Sequence, residues 1–324
     1  MTKNNLLLIT FIIIINSCAA VETSNLPESL TVIPEVNENQ KFIDYLDSDW
    51  EQTLINNPLF ATYTGDKRFN DKINPNTIDQ FNKVRNQDLE SLKKLMAINE
   101  EKLDKDNKLN YKLKKFDIES DLNLSQFPIY YLRLNQRGGI QSFYETGNRL
   151  VYQSKKDYED WLNRLSQFTE NIYTFLEINK EGLEKGYTQP KLVTRGVISQ
   201  IDAIINSDIE LNPYLKVFLE ANEEYFSKDE KEKLINDAKQ LIQKEINPAY
   251  ESLNNFLKNQ YLINSRESIG IKDIPDGKKY YEQLAKHYTT TDLTPDEIHD
   301  IGLREIQRIR AEMDEISDSV NWDG

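Results

Sequence analysis

One periodicity runs through almost the whole of this chain and limits its fold more than any other feature. From Phe42 onward, apolar residues recur every three or four positions, the spacing that gathers side chains on one face of an α-helix. Phe42, Tyr45, Leu46, Trp50 and Leu54 form a first stripe, ended by Asn57-Pro58. Asn74-Pro75 places an Asn cap before a proline at the first helical position and opens a predicted helix to about Leu103. Ser154 to Asp157 has the form of a capping box with Asp in place of Glu. Behind it Tyr158, Trp161, Leu162, Leu165, Phe168, Ile172, Phe175 and Leu176 share a face, until Gly182 and Gly186 break the pattern. Pro190 starts a further helix with Val193, Val197, Ile201 and Ile204 inward.

Ser227-Lys-Asp-Glu230 is a second box, ahead of Leu234, Ala238, Leu241, Ile242 and Ile246. Pro248 is expected to kink that helix rather than end it, because the apolar phase resumes at Ala249, Leu253, Phe256 and Leu257. Thr294-Pro295-Asp296-Glu297 joins a Thr cap, a first-turn proline and a box-closing Glu. Ile298, Ile301, Ile306, Ile309, Met313 and Ile316 follow it. Strand signals are scarce. Pro128 to Leu134 is a short β-prone run, and Tyr187 to Val193 and Tyr261 to Ile274 allow short extended pieces. The expected fold is mostly α, with long antiparallel helices, a kinked helix near Pro248 and few short strands. No repeat of 20 to 50 residues is present, which excludes a repeat solenoid.

The formal net charge of −14 repels phosphate backbones, so nucleic acid is excluded as a partner. The same charge opposes broad adhesion to anionic lipid. A different route to a membrane stands at the N-terminus. Lys3 precedes the apolar run Leu6 to Ile15, which is too short to span a bilayer, and Ile15-Asn16-Ser17-Cys18 follows it. This order predicts a signal peptide over 1–17. Cys18 is the chain's single cysteine, and a cysteine directly after a small residue resembles the lipobox of bacterial lipoproteins. That resemblance implies a lipid on Cys18 and an extracytoplasmic protein anchored to a bacterial membrane. Ala19 after the cysteine is compatible with the outer membrane of a Gram-negative cell. The alternative is an ordinary signal peptide with a chance cysteine. Residues 18–40 read as a lipidated tether, and 41–324 as the helical domain.

Chemistry-bearing motifs are few. There is no HExxH, CxxC, P-loop or GxSxG, and His287 and His299 are the only histidines. His299 sits among Asp296, Glu297 and Asp300, where it suits either a metal or base role or a solvated helix start. His287 shares a helix side with Tyr280 and Leu284, an arrangement more often used for packing than for ligation. No metal site and no cofactor follow from these residues, and no catalytic residue is assigned. Arg137-Gly138-Gly139 and Pro275-Asp276-Gly277 read as turns.

Several segments, taken in order, are similar to a known bacterial family. They are Asn57 to Thr62 with Gly65-Asp66, Gly182 to Pro190, Asn247 to Tyr250, Asp273 to Tyr281, and above all Tyr288 to Met313. Together they resemble the family called domain of unknown function 885, many of whose members are lipoproteins. Members are similar to mostly helical zinc metallopeptidases, whose presumed metal segment has the form HE-x-x-P-G-H with a further glutamate downstream. That segment lies beyond the block ending near Met313, and no position here matches it. The resemblance therefore implies the N-terminal portion of a lipid-anchored, extracytoplasmic, metallopeptidase-like hydrolase acting on peptides. Zinc is expected only with the missing C-terminal half. Gly277, Tyr280, Tyr281 and His299 match recurrent family positions and are the candidate cleft residues, with turn and core roles equally open. The alternative function is a non-catalytic helical lipoprotein that binds a peptide or an envelope partner.

Overall fold

The structure is a computed structural model that describes residues 37–320 and Trp322. Cys18, the signal segment 1–17 and the tether as far as Val36 lie outside the described residues. The helices are α1 (Glu38–Asn56), α2 (Pro58–Tyr63), α3 (Ile78–Met96), α4 (Lys105–Leu124), α5 (Tyr144–Arg149), α6 (Lys155–Glu184) and α7 (Lys191–Ile205). They continue with α8 (Lys216–Leu219), α9 (Lys228–Leu241), α10 (Asn247–Phe256), α11 (Leu262–Asn264), α12 (Gly277–Thr289) and α13 (Pro295–Ser319). Short 3₁₀ turns link many of them. The mostly α expectation holds. Among the described residues the β pairing is one isolated parallel bridge, Pro190 to Arg266, which joins the two segments expected to be extended.

The core forms in two clusters. In the larger, α10 packs on α6 and α7, and α9 also lies against α6. Trp161, Leu165, Phe168 and Ile172 of α6 meet Val197 and Ile201 of α7, and Ile246, Tyr250 and Leu253 from the α9–α10 rod. Burying each such side chain contributes roughly 1.5–3 kcal/mol. Two of its tyrosine tips are paired: the Tyr214 and Tyr250 hydroxyls lie 2.6 Å apart, and Tyr250 donates to the Ile140 carbonyl at 2.7 Å. The smaller cluster joins α1, α3 and α4 through Phe42, Tyr45, Leu95, Tyr111 and Ile118.

The expected kink at Pro248 takes the form of a π turn, Ile242–Ile246, directly before the proline. The Asn247 amide reaches back five residues to the Ile242 carbonyl, so the ladder is rerouted where Pro248 has no N–H to give. A second π turn, Leu257–Tyr261, carries the rod on into α11.

Four local expectations are corrected. The helix expected from Pro75 to Leu103 starts at Ile78 and ends at Met96, with the Thr77 side chain capping the Gln80 amide. Residues 74–76 are held outside it by α6: Asn171 donates to the Asn74 carbonyl at 3.0 Å and accepts from the Asn76 amide at 2.8 Å. The run Pro128 to Leu134 is not a strand; Ile129–Leu132 is a 3₁₀ turn, and its Tyr131 is buried against Gly182. Gly182 does not break α6, which runs to Glu184; a Cβ there would lie 2.9 Å from the Cβ of Tyr131. The Ser154 box forms in altered shape. Asp157 accepts from the Gln153 amide at 2.8 Å and the Ser154 hydroxyl at 3.0 Å, while Ser154 makes no side-chain cap.

An arginine fastens the N-terminal segment to this framework. Arg164 of α6 is fully buried. It donates to the carbonyls of Lys72 at 2.9 Å, Phe69 at 2.8 Å and Pro58 at 3.1 Å, and to the Thr62 hydroxyl. Burial holds its guanidinium down to about 10, and the ring of carbonyl dipoles takes the place of a carboxylate partner.

Candidate functional site

The candidate cleft residues sit where the chain turns into α12. Asp276 adopts a left-handed conformation, φ 53°, which a short polar side chain tolerates. Gly277 then starts the helix hard against the preceding turn, where a Cβ would stand 2.1 Å from the Ile271 carbonyl oxygen. Only a residue without a Cβ fits. Tyr280, one turn on, is half-buried with its ring 5.4 Å from that of Phe127, in the turn that follows α4. Burial pushes its phenol up. Tyr281 is exposed. The structure thus gathers Gly277, Tyr280 and Tyr281 into the first turn of α12, and places His299 on the neighbouring α13, where it is exposed. His287, further along α12, has its Nδ1 2.6 Å from the Ser120 hydroxyl of α4, a contact that ties the two helices together.

The Thr294 capping box forms as expected, with Glu297 accepting from both the amide and the hydroxyl of Thr294 at 2.8 Å. The helix behind it buries no residue at all. Ile301, Ile306, Ile309, Met313 and Ile316 are between 37% and 63% exposed. A stripe of this regularity left in solvent is the signature of a contact surface.

Between α1, α3 and α4 lies a polar layer that motif reasoning did not find. Asp49 of α1 accepts from the Ser91 hydroxyl at 2.8 Å and pairs with Lys114 of α4 at 2.5 Å; the Tyr45 hydroxyl is 2.8 Å from that of Ser91. Asp88 of α3 shares this layer. Burial, reinforced by the charges of Asp121 and Asp49 and opposed by Lys114, pushes its carboxyl up to about 6. Asp121 is likewise raised, chiefly by burial, with His287 pulling the other way. The signal was present: Asp88 and Ser91 fall in phase with the buried Leu95 on α3, and an acid at an apolar phase marks a functional or strained position.

A raised carboxyl stabilises the fold only while it carries its proton. The Asp88 contribution is therefore fully present below about pH 4 and is lost as pH rises through about 6. Asp88→Asn is expected to melt higher than the parent at pH 7, with the difference closing as pH falls to about 4. Thermal melts of both proteins across that range check this, and a pH-independent offset would refute it.

A protein zinc site needs three or four N, O or S donors converging on one point. Among the described residues no group of three or more His, Cys, Asp or Glu side chains is placed to hold a metal. The His287 Nδ1 faces Ser120, and His299 stands alone on an exposed turn. These residues do not fit a zinc site.

A family model for bacterial proteins of unknown function matches residues 58–324. The chain belongs to that family, DUF885. Among solved structures, a protein from Colwellia psychrerythraea designated a lipoprotein by inference is similar in fold, with a TM-score of 0.75 at 21% identity. The match covers 89% of this chain and 52% of that one, so the DUF885 chain spans about half the length of its solved relative. No curated protein matches it. Among the described residues no helix is long and apolar enough to cross a membrane.

Proposed function

We propose that this DUF885 chain is the N-terminal helical part of a lipid-anchored, extracytoplasmic, metallopeptidase-like hydrolase that acts on peptides. The observation that carries the reading is the unburied apolar face of α13, in a chain that spans half of a similarly folded protein. The remaining part of the domain is the natural cover for that face, and it would bring the metal-binding segment. Anchoring through a lipid on Cys18 is supported by the Ser17-Cys18 junction after the apolar run and by the lipoprotein designation of the solved relative. One acyl chain alone holds a protein only marginally, so a second chain or a second contact is required. Since the described donors do not fit zinc, no catalytic step is assigned to them.

The test is the nucleotide sequence downstream of the Gly324 codon. An open frame running into an HE-x-x-P-G-H segment is the expected result. A stop codon at that point would overturn the hydrolase reading and leave a non-catalytic lipoprotein that binds a peptide or envelope partner.

A further inference from the structure

An open groove of about 510 Å³ lies between α1 and α3, well away in sequence from the α12 turn. Its floor is internally satisfied by the Tyr45, Ser91 and Asp49 contacts. Its walls are unusually rich in carboxamides: Gln52 on α1, and Asn82, Asn86 and Gln87 on α3. Two of these belong to a directional relay. Gln52 Nε2 donates to Asn56 Oδ1 at 3.1 Å, and Asn56 Nδ2 donates to Gln87 Oε1 at 2.8 Å. The relay uses one end of each glutamine. It leaves Gln87 Nε2 as a donor and Gln52 Oε1 as an acceptor, and among the described residues neither of these atoms has a hydrogen-bond partner.

A ligand that meets both ends must itself offer an acceptor and a donor, as a secondary amide does. The groove follows α3 from Asp79 to Lys94, a rise of about 22 Å. At roughly 3.3 Å per residue that is the length of six or seven extended residues. Its charges nearly balance, with Asp49, Asp79 and Glu90 set against Lys83 and Lys94, so a polyanion gains nothing there. We infer that the groove between α1 and α3 binds a neutral, extended peptide segment through its backbone amides. Main-chain recognition of this kind gives affinity with little demand on side-chain identity. The inference holds whether or not the chain belongs to a hydrolase, because it needs no metal.

The experiment is calorimetric titration of the full chain with a blocked peptide of alternating Ala and Ser, about six residues long. Saturable binding is expected, weakened at least about tenfold when alternate backbone amides of the peptide are N-methylated. Gln87→Leu is expected to weaken it to a similar degree with the melting temperature unchanged. If that variant melts lower, Gln52→Leu at the other end of the relay carries the same expectation. No binding by the parent at about 1 mM peptide, or equal affinity for the N-methylated peptide, would overturn the inference. So would tighter binding of a chitin trisaccharide, which offers acetamido groups on a sugar instead.

Discussion

Replacing Arg164 by methionine is expected to destabilise the fold by about 3–5 kcal/mol. The guanidinium is fully buried and supplies hydrogens to the carbonyls of Pro58, Phe69 and Lys72 and to Thr62. Methionine fills a similar volume but donates nothing, so buried acceptors lose their partner. For a chain of this size each kcal/mol moves the melting temperature by about 2–4 °C, so a fall of roughly 6–20 °C is expected. Arg164→Lys is expected to recover little of the loss. A lysine keeps the charge but cannot fan its donors over acceptors that come from both ends of the 58–72 segment. Differential scanning calorimetry of the three proteins decides the matter; a methionine variant that melts within about 2 °C of the parent would show that the clamp is dispensable.

The second large effect is expected at Gly277. A methyl group there collides with the Ile271 carbonyl at 2.1 Å, a backbone atom that cannot swing aside. Gly277→Ala is expected to cost about 2–3 kcal/mol and to loosen the start of α12, with Tyr280 leaving Phe127. Gly302 supplies the contrast within the same family-like region. It lies in the body of α13 with nothing within 4 Å of its would-be Cβ, so Gly302→Ala is expected to stabilise by about 0.5–1 kcal/mol. Urea unfolding midpoints of the two variants should move in opposite directions. If both move alike, the close approach at Gly277 has no energetic weight.

Helix identity was legible wherever an apolar phase coincided with a cap made by neighbouring residues. The boxes at Ser227 and Thr294 are purely local, and both form as expected. Errors arose where a distant side chain outbid the local signal. Asn74-Pro75 reads as a helix start, yet Asn171, almost a hundred residues on, bonds the Asn74 carbonyl and the Asn76 amide and holds this stretch outside the helix. Pro128 to Leu134 has β-forming residues, but Tyr131 is drawn against Gly182 and its hydroxyl onto Glu181, 2.6 Å away, which suits a tight turn. The candidate cleft positions came from family likeness rather than from chemistry. Of these, Gly277 acquires a physical reason in the structure, and the polar layer between α1, α3 and α4 was recognisable only as acids standing in an apolar phase.

The Arg164 clamp also has a meaning in time. Its acceptors precede it by 92 to 106 residues, so they leave the ribosome before the side chain that will hold them exists. At roughly 5–20 residues per second that interval is about 5–20 s. Through it the 58–72 segment has no buried arginine to settle on, and its carbonyls must remain with water.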